Sequence, residues 1–391
     1  MGISALDITG YRSIRRLRLP LRRLTVLVGG NGVGKTNLYR ALELLQASAH
    51  GTLAGEIARE GGLSSIFWAG GRNLSPDGGF DPKYRTDGYR SHEGNSLRLA
   101  ADLTDLGAGE LEASYSIEVS FAPRHAVAAF ANEAQIKTET IAARIGGKPV
   151  PLLERKGGVA WTRDEKGRRE MASDDMLASE TALASLSGRA EIAAIRQALT
   201  AWRFFHGFRS DADSPLRRPS RAVTAPSLAS DGANLGAVLA TLRHIRQDTT
   251  DLDAAIADAF PGAELVVPPV EDFASFGMRY PEMPKRVFLP HELSDGTLQF
   301  LALAGALLSY RLPPFIALNE PETSLHPSLL PMLARLIVKA AERSQIWVVT
   351  HASELADAIA AESGVTPREV VRDDDGTTIR GLSRLGTFED E

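Results

Sequence analysis

The sequence contains no cysteine, which excludes disulfide bonds and thiolate metal sites. It also has no apolar stretch long enough for a membrane span. The longest, Leu298 to Leu308, includes Gln299 and Gly305 and falls far below the roughly 20 residues required. Its first residues lack the charged and then apolar pattern of a signal peptide. We therefore expect a cytoplasmic protein with no membrane partner.

The sequence has no excess of positive charge, since its formal net charge is −5. No global field thus draws the chain to nucleic acid. Two segments are locally basic, and each is interpreted either as a surface for nucleic acid or a partner, or as a solvated face paired with nearby acids. The first contains Arg12, Arg15, Arg16, Arg18, Arg22 and Arg23, and the second contains Arg203, Arg209, Arg217, Arg218 and Arg221.

Residues 29–36 have the full G-x-x-x-x-G-K-[ST] spacing of a phosphate-binding loop. The preceding residues 24–28 are an apolar, β-branched run typical of a strand, and residues 37–45 have the apolar spacing of a helix. A strand that leads through a glycine-rich turn into a helix aims several backbone N–H groups at one anion. The sequence therefore predicts binding of a nucleoside triphosphate, with Lys35 on the phosphates and the Thr36 hydroxyl on Mg²⁺.

Four further segments follow in the second half of the chain, each at the end of a predicted strand or the start of a predicted helix. A serine and a glycine at a helix N-terminus form a second anion site, and apolar strands deliver polar residues at their carboxyl ends. The segments are, in order, Leu293–Thr297, Pro314–Glu322, Thr323–Pro327 and Ile346–His351.

In this order the segments resemble those of the ABC-type ATPases, and among these the heads of the RecF/SMC/Rad50-like branch. Residues 10–14 resemble a turn near the start of such heads. The chain also resembles the ATPase part of overcoming-lysogenization nucleases, which is related to these heads. The resemblance implies that Glu320 polarises the attacking water, that His351 hydrogen-bonds the γ-phosphate, and that Ser324 to His326 contact a second subunit. It also implies an ATP site formed by Gly29, Asn31, Gly32, Gly34, Lys35, Thr36 and Asn37, with Ser294 and Gly296 from the opposite subunit, and Mg²⁺ on Thr36 and Asn319.

The sequence departs from the family pattern at two places. Asn319 stands where the family usually has Asp, and because its amide has no negative charge we expect weaker metal binding and slow turnover. The loop that offers a Mg²⁺-contacting Gln in the family has no obvious counterpart. Residues 65–69 lie in about the right place without one, and Gln46 is predicted to lie on the helix that follows the phosphate loop.

The expected fold class is α/β: a P-loop ABC-type ATPase head with a β-rich and helical insertion between the phosphate loop and the signature segment. Alternating strands indicate sheet from about 95 to 170, with hairpin turns at Gly146–Gly147 and Gly157–Gly158, and helical patterns cover about 176–206 and 234–260. No heptad array is present, so a long coiled coil is excluded. We divide the chain into ATPase residues 1–95, an insertion at 96–260 and ATPase residues 261–391.

Three functions remain open. The first is an ATP-hydrolysing homodimer that closes around ATP and acts on double-stranded DNA, in repair or antiphage defence. The second is a slow nucleotide-dependent switch or scaffold that controls a separately encoded effector or nuclease, which Asn319 favours. The third, a transporter ATPase, is disfavoured by the long insertion. The chain after His351 is too short for a nuclease domain of its own.

Overall fold

The computed structural model describes residues 2–68, 96–106, 111–121, 133–145, 148–164, 166–186, 189–247 and 249–389. The chain forms two compact units. The first comprises Met1–Arg22, Gly30–Ala201 and Glu369–Glu391, and the second comprises Arg23–Gly29 and Trp202–Arg368.

The strands of the first unit are β1 (Gly2–Tyr11), β2 (Ile14–Pro20), β4 (Ser96–Leu106), β5 (Leu111–Ser120), β6 (Gln135–Ile145), β7 (Lys148–Lys156), β8 (Val159–Arg163), β9 (Arg169–Ser173), β17 (Arg368–Asp373) and β18 (Gly376–Ile379). The strands of the second unit are β3 (Leu24–Val28), β10 (Arg203–His206), β11 (Ser220–Arg221), β12 (Glu264–Val266), β13 (Phe273–Ala274), β14 (Gly277–Arg279), β15 (Phe315–Asn319) and β16 (Gln345–Thr350).

The helices of the first unit are α1 (Lys35–His50), α2 (Leu53–Arg59), α3 (Leu63–Ile66), α4 (Ala182–Ser185) and α5 (Ala190–Thr200). Those of the second unit are α6 (Leu235–Ala240), α7 (Thr250–Ala259), α8 (Asp295–Leu308), α9 (Leu330–Ala341) and α10 (Ser353–Ser363), with a π-helical turn at Thr241–Arg246. Short 3₁₀ turns lie at Pro215–Arg217, Pro290–Glu292 and Pro327–Leu329.

The first unit is built on an antiparallel sheet in the order β17-β18-β2-β1-β4-β5-β6-β7-β8-β9. Alternate residues of β4 are buried, as the period-two pattern predicts, and α1 and α5 pack against this strand. The turn at Gly157–Gly158 joins β7 to β8, with Gly157 in the left-handed region, which confirms that hairpin. The other predicted turn, Gly146–Gly147, lies outside the described residues.

Helix α1 forms because Leu38, Ala41, Leu42 and Leu45 repeat at helical spacing, and all four are buried. It ends at Gly51, whose left-handed backbone donates to the last carbonyls of the helix. Gln46 lies on this helix, as predicted.

The second unit is built on a parallel sheet in the order β10-β15-β16-β3, which α8, α9 and α10 cover. Its core contains Ile316, Leu318 and Val348, which belong to adjacent strands. Helix α8 is buried from Thr297 to Leu308, which explains why that segment is apolar on every side. The predicted strands at 314–318 and 346–350 correspond to β15 and β16.

The prediction of helix across residues 176–206 was confirmed only for α4 (Ala182–Ser185) and α5 (Ala190–Thr200), and it was wrong at both ends. Residues 203–206 form β10, which pairs in parallel with β15, and Phe204 and Phe205 are both buried there. A strand covered on both faces has no polar alternation, so an aromatic run directly after a helix gives no sign of the change. In the second predicted helical region, α6 and α7 are separated by the π-helical turn.

Among the described residues the longest helix, α1, has 16 residues, which agrees with the expected absence of a long coiled coil. Of the helices in these ranges, none combines the length and the apolar content that a membrane crossing requires.

Candidate functional site

The phosphate loop connects β3 to α1. Gly32 and Gly34 have φ angles of 79° and 105°, which favour glycine. A Cβ atom at Gly34 would lie 2.1 Å from Thr377 Oγ1, whereas one at Gly30 or Gly32 would meet no atom within 4 Å. The loop is therefore tightly supported beside Gly34 and open around Gly30 and Gly32, where a ligand can approach the backbone.

Lys35 begins α1 and is almost completely buried. Its Nζ donates to the carbonyl of Gly30 at 2.8 Å, so the side chain folds back over the loop. Thr36 is exposed in the first turn of α1, as is Asn31 in the loop. A helix N-terminus carries a partial positive charge, which the ammonium group of Lys35 reinforces. The loop can therefore bind a phosphate chain.

A hydroxyl network supports the loop from within the first unit. Thr377 Oγ1 donates to the carbonyl of Val33 at 2.7 Å and lies 2.7 Å from Ser13 Oγ. Asn37 Nδ2 donates to the same Ser13 oxygen at 2.7 Å, and Asn37 Oδ1 accepts from Arg12 at 3.4 Å. The side chain of Asn37, expected to bind nucleotide, is thus engaged with the residues that hold the loop.

The carboxyl ends of β3, β15 and β16 lie at one edge of the parallel sheet in the second unit. Val349 pairs with both Leu27 and Asn319, and Thr350 pairs with Val28. The chain consequently leaves β3 into the phosphate loop at the edge where Asn319 ends β15 and where His351 follows β16. Open parallel sheets bind ligands at this edge.

Asn319 Oδ1 is buried and has no hydrogen-bond partner among the described residues. Buried polar atoms are normally paired, so this oxygen is suited to an additional ligand or water. The Thr36 hydroxyl and the Asn319 amide both offer oxygen, the ligand type that Mg²⁺ prefers. The described part of the chain contains no cluster of three or more acidic or histidine side chains placed to bind a metal ion.

Glu320 follows β15 with a left-handed backbone, at φ 50°. This conformation costs a residue with a side chain about 1–2 kcal/mol, and the N–H of Glu320 donates to the Val349 carbonyl at 2.7 Å. The carboxylate is 36% exposed, and its Oε1 lies 3.7 Å from His351 Nδ1. Glu320 and His351 therefore share one accessible position at the edge of the sheet.

Glu322, which no sequence motif singles out, lies at the same place in the structure. Its Oε1 accepts from Thr350 Oγ1 at 2.6 Å and from the N–H groups of His351 and Ala352 at 3.1 and 3.3 Å. His351 Nδ1 lies 3.2 Å from the same oxygen. Sequence reasoning missed this residue because its partners lie nearly 30 residues further along the chain.

Ser294 caps the N-terminus of α8. Its Oγ accepts from the Thr297 N–H at 3.2 Å and lies 2.8 Å from Thr297 Oγ1. A Cβ at Gly296 would lie 2.9 Å from the carbonyl of Ser324, which itself has a φ of 68°. The signature segment and the turn at Ser324 therefore touch within one chain, and glycine permits their close approach.

Arg217 holds the segment that precedes this cap. Its guanidinium donates to the carbonyls of Pro290, His291 and Leu293 at 3.1, 3.2 and 2.9 Å, and to Asp295 Oδ1 at 2.6 Å. The side chain is only 12% exposed. Arg217 therefore fits neither interpretation of the second basic segment: it pairs with one acid, Asp295, but it is nearly buried and binds mainly backbone carbonyls.

Two family models match parts of the chain. The family model described as "AAA ATPase domain" matches residues 1–141, and the model described as "AAA domain, putative AbiEii toxin, Type IV TA system" matches residues 170–357. No curated protein matches the chain.

Solved structures with a similar fold include heads of SMC proteins. The SmcHead bound to the C-winged helix domain of ScpA is 16% identical, with 98% of each chain covered and a TM-score of 0.57. The Smc head domain with an extended coiled coil, bound to the C-terminal domain of ScpA derived from Pyrococcus furiosus, is 15% identical, with 97% of this chain and 96% of that chain covered and a TM-score of 0.50. Identities this low establish the fold alone.

Proposed function

We propose that this chain, a nucleotide-binding ATPase of the AAA type with the fold of an SMC head, hydrolyses ATP while two copies close around it. The convergence of β3, β15 and β16 at one sheet edge carries this proposal, because it puts the start of the phosphate loop, Glu320 and His351 on the same strand ends. In one copy the phosphates would contact Gly29, Asn31, Gly32, Gly34, Lys35, Thr36 and Asn37, and the second copy would contribute Ser294 and Gly296.

In the reaction, a water oxygen forms a bond to the γ-phosphorus while the bond to the β–γ bridging oxygen breaks, which releases ADP and phosphate. Glu320 would accept a hydrogen bond from this water and orient it, and His351 would hydrogen-bond the γ-phosphate oxygens. The partial exposure of both side chains, 36% and 47%, supports these roles. Such catalysis depends mainly on position and charge.

Thr36 and Asn319 are the residues that would hold Mg²⁺. When bound, the ion neutralises negative charge on the β- and γ-phosphate oxygens. Asn319 contributes an oxygen but no charge, so we expect turnover slower than with Asp at this position. This residue also favours the alternative function, a slow nucleotide-dependent switch for an effector or nuclease encoded elsewhere.

Two classes of partner beyond the second copy are proposed. The proposal of double-stranded DNA as a partner, in repair or antiphage defence, rests on the resemblance to DNA-acting heads. The two basic segments give it little support, because many of their arginines are paired with acids. The pairs are Arg12 with Glu60, Arg15 with Asp375, Arg18 with Asp102, Arg209 with Asp211 and Arg218 with Asp213. A protein partner is supported by the similar SMC heads, both bound to parts of ScpA, and by the toxin–antitoxin description of one family model.

The test is ATP binding and turnover by purified protein, with and without double-stranded DNA. Lys35→Ala should abolish ATP binding, because the ammonium group that faces the phosphates is lost. Lys285→Ala, an exposed lysine of the second unit, is the matched control and should bind normally. DNA-stimulated turnover would support action on DNA, and slow turnover indifferent to DNA would support the switch. Unchanged ATP affinity in Lys35→Ala would contradict the proposed phosphate site.

A further inference from the structure

Glu322 is a nearly buried carboxylate, with 7% of its side chain exposed, three residues after the strand that ends at Asn319. Its Oε1 accepts hydrogen bonds from the Thr350 hydroxyl and from two backbone N–H groups, and it also faces the ring of His351. The other oxygen, Oε2, is buried without a hydrogen-bond partner among the described residues. A buried carboxylate is costly, so its position calls for a reason beyond packing.

The contact with the His351 ring is specific to one nitrogen. Nδ1 lies 3.2 Å from Glu322 Oε1 and 3.7 Å from Glu320 Oε1. Both neighbours are carboxylate oxygens, which attract a proton and repel a nitrogen lone pair, so the geometry favours the tautomer with the proton on Nδ1. The backbone N–H of His351 donates to the same Glu322 oxygen, which fixes main chain and ring together. Nε2 is thereby left as the ring atom available to substrate.

We infer that Glu322 is a positioning residue for hydrolysis, which fixes the tautomer and the ring orientation of His351. This rests on the proposed function, in which His351 touches the γ-phosphate. The arrangement is the one by which carboxylates behind catalytic or metal-binding histidines select the protonated nitrogen and hold the ring. Glu320 remains the residue that contacts water, and Glu322 acts through its neighbour.

Two substitutions separate positioning from simple stabilisation. Glu322→Met has a similar length but no oxygen, so it removes the acceptor that faces Nδ1. Thr350→Val removes one hydrogen bond to the same oxygen and leaves the Nδ1 contact in place. If Glu322 only stabilises this turn, both variants should behave alike. If it positions His351, only Glu322→Met should alter the ring and the reaction.

The first readout is ¹⁵N NMR of His351 in the full chain, at a pH where the ring is neutral. Wild type and Thr350→Val should show the Nδ1–H tautomer, and Glu322→Met should show a clear shift toward Nε2–H. An Nε2–H ring in the wild type would overturn the inference, as would an unchanged tautomer in Glu322→Met.

The second readout is steady-state hydrolysis of Mg²⁺–ATP. Glu322→Met should lower kcat by about 10- to 100-fold with little change in KM, the usual range for loss of a residue that orients a functional histidine. Thr350→Val should retain most of its kcat. A Glu322→Met enzyme with an altered tautomer but wild-type kcat would overturn the positioning role. The variant His351→Ala tests the proposed function separately. Full turnover in this variant would contradict the role proposed for His351, whereas the NMR result would still show whether Glu322 fixes the tautomer of the ring.

Discussion

Among the acidic residues that the structure describes, Glu139 is fully buried, in β6 of the antiparallel sheet. Its oxygens accept from the Tyr115 hydroxyl at 3.0 Å and from the N–H groups of Ala182 and Leu183 at 2.6 and 2.9 Å, and Arg155 lies 4.0 Å away. Burial raises the pKa of the Glu139 carboxyl above its usual value, although these hydrogen bonds and the arginine oppose the change. The group therefore couples folding of the first unit to pH.

The sign of this coupling follows from the raised pKa. The folded chain takes up a proton on Glu139 at a higher pH than the unfolded chain does, so its contribution to stability grows as the pH falls toward the ordinary value of 4.5. The same contribution is lost as the pH rises through the folded-state pKa. We predict that Glu139→Gln lowers the free energy of unfolding, relative to wild type, by more at pH 5 than at pH 7, as measured by urea unfolding.

Glu118 provides the control, on the adjacent strand. Burial raises the pKa of its carboxyl, but hydrogen bonds from Lys137, Ser96 and Thr138 outweigh burial and leave the pKa lowered. The stability it contributes is lost only as the pH falls below the ordinary value, so Glu118→Gln should show the same difference from wild type at pH 5 and pH 7. A pH-independent effect of Glu139→Gln would contradict the prediction.

Residues at strand ends could be predicted because motif and strand pattern coincide there. Asn319, Glu320 and His351 each follow an apolar β-rich run, and all three lie at the carboxyl edge of the parallel sheet. Glu322 could not be predicted, because its function in the fold depends on contacts with the end of another strand. Arg217 likewise reads as a surface charge until the carbonyls it binds are known.

At the level of elements, the segment before α8 depends on the loop that contains Arg217. A guanidinium that donates to three carbonyls and to Asp295 while nearly buried ties Pro290–Glu292 and the Ser294 cap to the Pro215–Arg217 turn. We predict that Arg217→Ala lowers the free energy of unfolding by roughly 2–4 kcal/mol, since several hydrogen bonds to a charged donor are lost. It should also reduce ATP turnover by loosening Ser294.

Arg218→Ala is the matched control for this prediction. Arg218 is 66% exposed and pairs only across the surface, with Asp213 at 3.2 Å, so its loss should change stability by less than about 1 kcal/mol. Urea unfolding and turnover, measured on both variants, test the difference. If Arg217→Ala were as stable and active as Arg218→Ala, the structural role of Arg217 would be refuted. Selective loss of DNA binding in Arg218→Ala would assign that exposed residue to DNA.

Elements with a clear period or a glycine signal could be predicted, and fully covered elements could not. Strands β4 and β5 alternate apolar and polar residues, and α1 has a regular apolar stripe. Strand β10 could not be distinguished from helix, because both of its faces are covered and its residues do not alternate between apolar and polar. Gly61 and Gly62, which both have positive φ angles, lie between the short helices α2 and α3, since such glycines also end and begin helices.

For the whole molecule, the order of the segments predicted an ATPase head, and the lack of a heptad array predicted that it has no long coiled coil. That order could not reveal how the chain is partitioned. The parallel sheet of the second unit takes its strands from two parts of the sequence, because β3 precedes and β10 follows most residues of the first unit along the chain. Contacts distant in sequence decide such a division, and no local pattern reports them. The division into residues 1–95, 96–260 and 261–391 remains a prediction.

The proposed assembly makes its own prediction. If ATP links Lys35 of one copy to Ser294 of the other, the dimer should persist only until hydrolysis removes the γ-phosphate. Glu320→Gln keeps the size of the side chain but weakens its interaction with the attacking water, so turnover should fall by about 10²-fold or more. Multi-angle light scattering with Mg²⁺–ATP should then show twice the monomer mass for Glu320→Gln, and a smaller dimer fraction for wild type.

Adding Lys35→Ala to Glu320→Gln should return the mass to that of the monomer, because the link requires bound ATP. Ser294→Arg tests the opposite side: it should leave ATP binding by the monomer unchanged and prevent dimerisation, since in the proposed dimer Ser294 faces the partner's nucleotide and not the one bound by its own copy. A Glu320→Gln protein that binds ATP yet stays monomeric would exclude the ATP sandwich. The chain would then act as a nucleotide-dependent monomer, for which a separately encoded effector is the remaining proposed partner.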